Sequence, residues 1–462
     1  MRKNQFYIAL FLVPLCLLSL LNLVWPDQII SEIENRTLSQ MPSLKLESLF
    51  SGQYTLKFEE YFADQFPFRQ FFIGLHQQSM DLLKSPFTGD VALISRPGHD
   101  TGTGETLEHD PDDHVILPTA TDTGNSTTTP TTLPSGATDP QTTPEPTPVV
   151  TEQTQPTEPE ATAPAVEGEV ESFSAVIIVN GYAMELYYYS ENRVSRYAEL
   201  ISRLQAKVPE ARIFDLVAPT SLEFHSPEKY HSNSSSQKDA IAAIYAKMPN
   251  GVIAVDAYDK LVRHYDEYLY FRSDHHWTAR GAFYAYTAFC ESAGLEPAAL
   301  DTMETGFIAG DFLGTLYKYT NSPRLKENPD SVEYFLPTVE SQGYAFSSTA
   351  MSEGYKVKAV RTEISSGNKY LAFIGGDNPL THFTTTLTNG KSIVVLKESY
   401  GNAFVPFLLN HYQDVYVIDP RSLKADLPEF IRQHGIQDVL ILNYTFGVSN
   451  TTWNNGFEAM IG

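Results

Sequence analysis

Cysteine is nearly absent from this 462-residue chain, which carries only Cys16 and Cys290. Cys16 lies in a hydrophobic N-terminal run and Cys290 in a helix-forming stretch, so neither a disulfide framework nor a cysteine-based zinc site is available. The residues before Cys16, "LVPL", are not the small ones that a lipoprotein signal needs. Cys290 reads as a small buried hydrophobe. Basic residues are also scarce, 32 Lys and Arg against 56 Asp and Glu, for a net charge of −24. That balance excludes a nucleic-acid binder, which needs a basic patch to neutralise phosphates. No Lys or Arg occurs between Arg96 and Arg193, so much of the negative charge belongs to one tract.

Charge is missing altogether from Phe6 to Trp25, a run of 20 residues. It is long enough to cross a bilayer, whereas a signal-peptide core is about 7–15 residues. Arg2 and Lys3 put the N-terminus in the cytoplasm, and Trp25 stands where an interfacial aromatic belongs. No small-x-small cleavage site follows. The expectation is an uncleaved signal anchor over residues 1–26, single-pass in the cell membrane with the rest of the chain outside. A cleaved, secreted form is the alternative, and Pro14 in mid-span weakens the spanning reading.

Residues 27–97 are polar and amphipathic. Tyr54, Phe58, Tyr61, Phe62 and Phe66 fall near helical spacing, which predicts a short helix packed on the main domain. From 98 to 171 the composition collapses into Thr, Pro, Glu, Asp, Ser and Gly. Such a tract buries too little apolar surface to offset its ordering entropy, and the expectation is a disordered spacer.

From 172 to 462, short apolar runs alternate with amphipathic ones. "AVIIVN", "RIFDLVAP", "GVIAVD", "YLAFIGG", "SIVVLKES", "DVYVID" and "DVLILN" read as strands. Helix-like runs such as "SRYAELISRLQAKV", "QKDAIAAIYAKM", "ARGAFYAYTAFCESAG", "NAFVPFLLNHY" and "DLPEFIRQHG" separate them, with an irregular stretch at roughly 300–365. This pattern predicts an α/β domain whose parallel sheet is covered by helices on both faces.

In such a sheet the ligand crevice lies beyond the carboxyl ends of the strands. "SIVVLKES" ends at Ser399, and "YGNAF" turns at once into a helix, so Ser399 is either a plain helix cap or a nucleophile beside helix N-terminal amides. Tyr400 and Gly401 follow it as oxyanion candidates. A serine nucleophile needs a base and an orienting carboxylate. "FRSDHHWTARGA" offers Asp274 and His276, two residues apart and on one side of an extended segment, with His275 pointing away. His275 and Trp277 are further substrate or oxyanion candidates, Trp277 being placed to wall the site, and Thr278 is placed to cap the next helix. Three readings stay open from the residues alone: a structural histidine pair, a catalytic dyad and a metal site. Adjacent histidines are an awkward metal pair, and the spacing of His264, Asp377 and His382 does not ask for one.

"YFRSDHHWTARGAFYAY", with "ENRTLSQMPSL", "YFADQFPFR", "FIGGDNPL" and "LKESYGNAFVPFLLNHYQDVYVIDPR", resembles the DHHW family of bacterial surface proteins. That family resembles, more remotely, the SGNH-hydrolase-like domains of alginate O-acetyltransferases, which share an Asp-x-His-Trp segment ahead of a serine that follows a strand. The resemblance implies an SGNH-hydrolase-like (flavodoxin-like) α/β fold. It also implies a serine acyl-enzyme on Ser399, with His276 as general base and then acid and Asp274 as its orienter. No cofactor and no metal is called for. Gly376 and Asn443, read at strand ends, are further oxyanion candidates, with a structural role as the alternative. Arg421 is a candidate for an anionic sugar, with an ion-paired role as the alternative.

The function expected is an extracellular O-acetyltransferase or esterase acting on a cell-surface polysaccharide or wall glycopolymer. A membrane-bound O-acyltransferase partner is expected to supply acetyl groups. A non-enzymatic, glycan-binding or interaction module of the cell envelope with an inactive site is the alternative.

Overall fold

The computed structural model describes residues 175–228 and 234–462, with Val170–Phe173, His114–Ile116, Ile30–Ser31, Arg36–Thr37 and isolated positions between 41 and 66. The segment read as a signal anchor and most of the expected spacer lie outside the described residues. Among the described residues no helix is long and apolar enough to cross a membrane. Tyr54, Phe58, Tyr61 and Phe62 are helical, and their rings meet at the predicted spacing, Tyr54 against Phe58 and Phe58 against Tyr61.

The named strands and helices follow in chain order. They are β1 (His114–Ile116), β2 (Val170–Phe173), β3 (Val176–Val179), β4 (Tyr182–Glu185), α1 (Glu191–Lys207), β5 (Arg212–Ala218), α2 (Gln237–Tyr245) and β6 (Val252–Val255). Next come α3 (Ala257–Arg263), α4 (Ala279–Ala293), α5 (Thr315–Thr320), β7 (Ser341–Phe346), β8 (Glu353–Val357) and β9 (Leu380–Thr385). The chain closes with β10 (Ser392–Lys397), α6 (Gly401–Leu408), β11 (Asp414–Ile418), α7 (Leu427–Gln433), β12 (Asp438–Tyr444) and α8 (Thr451–Ile461).

Among the described residues the main sheet has nine strands, in the order β1-β8-β7-β9-β11-β10-β12-β5-β6. From β11 to β6 every pairing is parallel, as the helix-separated apolar runs require. The other half is antiparallel, so the sheet is mixed rather than parallel. Chain length explains the difference. Only residues 347–352 join β7 to β8, too few for a parallel crossover.

Three local expectations are corrected. "AVIIVN" lies outside the main sheet, in the antiparallel meander β2-β3-β4. Its turn is Asn180–Gly181 with φ 50° and 81°, the Asn-Gly hairpin signal embedded in that run. "YLAFIGG" forms no strand: Lys369–Ala372 is a 3₁₀ turn, and Ile374, Gly375 and Gly376 follow with positive φ. Within the expected spacer, His114–Ile116 pairs with β8 at the sheet edge, at the tract's "HVIL".

Each face of the sheet has its own core. On one side α1 packs Val194, Tyr197, Leu200, Ile201 and Leu204, spaced three and four apart, with α7 and α8 beside it. On the other, α4 and α6 bring Phe283, Tyr286, Phe289, Phe404 and Phe407 together. α4 starts where the Thr278 hydroxyl accepts the Gly281 amide, as expected for its cap, and ends at Gly294 with φ 70°. Cys290 is buried on this helix as expected, and burial pushes its thiol up to about 12.

Asp215 sits fully buried in β5, its Oδ1 accepting from Tyr197 at 2.6 Å, while Oδ2 finds no partner. Burial raises its carboxyl to about 7, against the pull of the tyrosine hydrogen bond. A folded-state value above the unfolded one means that the folded chain binds the extra proton between about pH 4 and pH 7. Its stabilising effect is therefore complete below that window and is lost as pH rises through about 7. Asp215→Asn should gain stability over the wild type at pH 8, on the order of 2–4 kcal/mol, with the gain shrinking toward pH 4. Urea denaturation of both proteins across that range checks it.

Candidate active site

The apolar run of β10 places the next residues at the carboxyl end of the sheet's parallel half. The chain turns there: Gly401 N–H donates to Glu398 O and Asn402 N–H to Ser399 O, and α6 begins, buried along its whole length. Ser399 is thereby held at the sheet's edge of chemistry, between strand and helix.

The facing element is a hairpin closed by the Tyr270–Trp277 bridge, with Asp274, His275 and His276 at its tip. Asp330 clamps that tip by accepting the Arg272 and Ser273 amides, both at 2.8 Å. Trp277 is fully buried behind it and donates Nε1–H to Tyr400 O at 2.9 Å. It is a packing support rather than a wall of the crevice.

A continuous hydrogen-bond chain results. Ser399 Oγ lies 2.7 Å from His276 Nε2, and His276 Nδ1 lies 2.5 Å from Asp274 Oδ1. Asp274 Oδ1 also accepts the His276 amide at 3.0 Å, and Oδ2 accepts the Thr315 amide and hydroxyl at 2.8 and 3.1 Å. Asp274 is 2% exposed, and burial works against its charge. The His276 and His275 rings, with the hydrogen bonds from His276 and Thr315, outweigh burial and hold the carboxyl well below the usual carboxylate range. An ionised Asp274 fixes the proton of His276 on Nδ1 and leaves the Nε2 lone pair facing the serine hydroxyl.

His275 does not turn away. The tip is bent rather than extended, and the two imidazole rings lie 3.8 Å apart. Because the Thr315 hydroxyl donates to Asp274, it accepts from His275 Nδ1–H at 2.7 Å. On the other side Tyr370 stacks on His276, centroids 4.0 Å apart and planes 14° from parallel, and donates its hydroxyl to Ser399 O at 3.0 Å. Imidazole rotation is blocked from both faces.

The remaining candidates fall elsewhere. The Tyr400 amide donates to Glu398 Oε2 at 3.0 Å and the Gly401 amide to Glu398 O, so neither is offered to an oxyanion in this conformation. The Gly376 amide closes its own turn on Phe373 O. Asn443 is fully buried and donates to Tyr197, in the core on the α1 face. Arg421 is ion-paired with Asp377 and Asp419 at 2.8 and 2.7 Å, which favours its structural reading over a sugar contact.

Asp274, His275 and His276 present ligand atoms within 4.8 Å of one another. Each ring Nδ1, and His276 Nε2, faces a protein partner instead. His264, Asp377 and His382 are paired separately, with Glu267, Lys397 and Asp414. Thr315 and Asp330 carried no sequence signal, since they lie in the irregular stretch, and Tyr370 was read only as the start of the apolar run "YLAFIGG". Glu398 did carry a signal: it is a charged residue closing an apolar strand.

No curated protein matches the chain. Among solved structures, it is similar to a DHHW family protein from Eubacterium siraeum at 32% identity, over 63% of this chain and 98% of that one, with a TM-score of 0.58. PatB1 of Bacillus cereus carrying a sulfonyl adduct matches at 15% identity, over 60% and 97% of the two chains, with a TM-score of 0.49. The O-acetyltransferase domain of Pseudomonas putida AlgJ matches at 13%, over 62% and 98%, with a TM-score of 0.38. The family model described as "DHHW protein" matches residues 148–418, a span that takes in both the hairpin tip and the serine turn. With the quoted motif at the centre of that span, the chain belongs to the DHHW family.

Proposed function

We propose that this protein is a serine-dependent O-acyltransferase or esterase of the SGNH-hydrolase kind, acting on a cell-surface polysaccharide. The observation that carries this reading is the unbroken chain Asp274–His276–Ser399. Ser399 Oγ attacks the acyl carbonyl while its proton passes to His276 Nε2. The tetrahedral intermediate collapses, the carrier oxygen leaves with that proton, and the acyl group stays on Ser399. A sugar hydroxyl, or water, then gives its proton to His276 and attacks the acyl carbonyl; as this second intermediate collapses, the bond to Ser399 Oγ breaks and His276 returns the proton to that oxygen. Asp274 supports each imidazolium without being protonated itself. A decayed binding module would have no need for a buried, fully hydrogen-bonded Asp274, so the catalytic reading is preferred.

The uncharged run from Phe6 to Trp25 supports a membrane-anchored protein with its site outside the cell. An acetyl transfer there needs a donor brought across the membrane, and a membrane-bound O-acyltransferase is the partner proposed.

Ser399→Ala should abolish release of acetate from an acetylated polysaccharide, and Asp274→Asn should lower turnover by roughly 10⁴-fold. Unchanged turnover in either variant, with the fold intact by circular dichroism, overturns the mechanism. A subtler variant tests Asp274 from outside the triad. A Cβ at Gly314 would lie 2.2 Å from Asp274 Cβ and 2.3 Å from Oδ2. Gly314→Ala should therefore push the carboxylate off His276 and cost roughly 10–100-fold in turnover, with a stability loss of about 1–3 kcal/mol. Deleting residues 1–26 should move the protein from the membrane fraction to the soluble one; retention in the membrane would refute the anchor.

A further inference from the structure

Glu398 lies next to Ser399, 5% exposed, and its Oε2 is 3.3 Å from Ser399 Oγ. The same Oε2 accepts the Tyr400 amide at 3.0 Å, and Oε1 accepts the Tyr444 amide at 3.2 Å. Two N–H donors, one on each oxygen, match an ionised carboxylate. The serine hydroxyl has one proton and two acceptors within reach, and the shorter contact, 2.7 Å, is to His276.

Resting on the serine reading above, we propose that Glu398 is a positioning residue for the His276–Ser399 pair and the second counter-charge of the imidazolium. Its carboxylate fixes the nucleophile's turn to the end of β12 through the two amides. Its negative oxygen is the weaker of the two acceptors that face the hydroxyl, at 3.3 Å against 2.7 Å for His276 Nε2, so the proton stays with the imidazole while the charge remains close by. When that proton reaches Nε2, the imidazolium has Asp274 bonded on one side and Glu398 across the serine on the other.

The groups facing Glu398 come from several elements: His276 from the hairpin tip, Arg421 beyond β11, Asp377 ahead of β9, and the rings of Tyr370 and Tyr400. Arg421 is tied to Asp377 and Asp419, so among the groups facing Glu398 the His276 imidazole, with the His275 ring 3.8 Å from it, is the one that gains charge when it takes the serine proton. Burial, joined by the Asp377 charge, outweighs the Tyr400 amide, Arg421 and His276, and leaves the Glu398 carboxyl above its ordinary value.

The test uses the inactivation of Ser399 by an arylsulfonyl fluoride, followed from pH 5 to pH 9. It needs no natural substrate. A negative charge near the imidazolium favours it, so removing that charge lets His276 stay neutral to lower pH. In Glu398→Gln the acid limb of the inactivation profile should move down by roughly half a unit or more, and the plateau rate should fall roughly 10-fold. A merely structural role would scale the rate equally at every pH. An unmoved limb in a folded variant therefore overturns the proposal. If Glu398→Gln does not fold, Glu398→Asp draws the charge back by one methylene, and its limb should move the same way by less. A lowered rate with an unmoved limb in that variant also overturns it. A wild-type protein inert to the reagent refutes the serine reading and Glu398's part with it. A reactive wild type that loses labelling in Ser399→Ala preserves the reading whatever Glu398 shows.

Discussion

A carboxylate taken out of water survives only if its lone pairs are matched by donors, and Asp274 is the case on which this molecule is organised. Its donors come from two separate pieces of chain, the hairpin tip that carries it and the start of α5. Thr315 can reach it because Gly314 has no side chain to interpose. The stretch between α4 and β7, featureless as sequence, thus supplies half of the aspartate's coordination. An imidazole anchored to such a group has its tautomer and its orientation settled before any substrate arrives.

Below the serine turn lies a second charged layer. Lys397 is fully buried between Asp377, at 2.5 Å, and Asn402, at 2.6 Å, and Asp377 also receives Arg421. Burial disfavours the Asp377 charge, but the two cations overcome it and hold its carboxyl well below its ordinary range. Replacing one partner of such a set leaves an uncompensated charge in the interior, which is far more costly than the set is stabilising. The layer links the loop ahead of β9, the turn after β10 and the strand end after β11. Those are the three places where the chain must be held still for Ser399 to meet His276.

Much of this was legible in sequence, for identifiable reasons. The parallel half of the sheet follows from apolar runs such as "SIVVLK" and "DVLILN" set between amphipathic helices, a pattern that long crossovers enforce. Asp274, His276 and Ser399 were legible because each sits at a strand end or a tight bend, where a polar side chain has no structural excuse in the core. The antiparallel half was not, since strands such as "EGYKV" and "LTHFTT" mix polar and apolar residues without a clear face. "AVIIVN" was read by its apolarity alone, when the Asn-Gly closing it already specified a hairpin. The bent hairpin tip defeated the parity argument for His275, because alternation of side chains holds only where the backbone is extended. Which amides are engaged at the serine turn depends on the Glu398 side chain, and no spacing rule reports that.

The Glu398–Tyr444 contact ties the serine turn, and with it the meeting of Ser399 and His276, to the alignment of two strands. In the parallel pair β10–β12, Lys397 stands opposite Leu442, which leaves the Tyr444 amide in reach of Glu398. A slip of one residue would turn the side chains of a strand to the opposite faces of the sheet and carry that amide away. The histidine and the serine are also 123 positions apart in the chain, so their meeting waits on non-local pairing, the slow part of folding. The Ser399–His276 contact therefore forms late, after collapse and helix formation, once the central strands have found their match. Chains trapped out of alignment would be compact and helical yet lack that contact, so its presence doubles as a measure of correct sheet assembly.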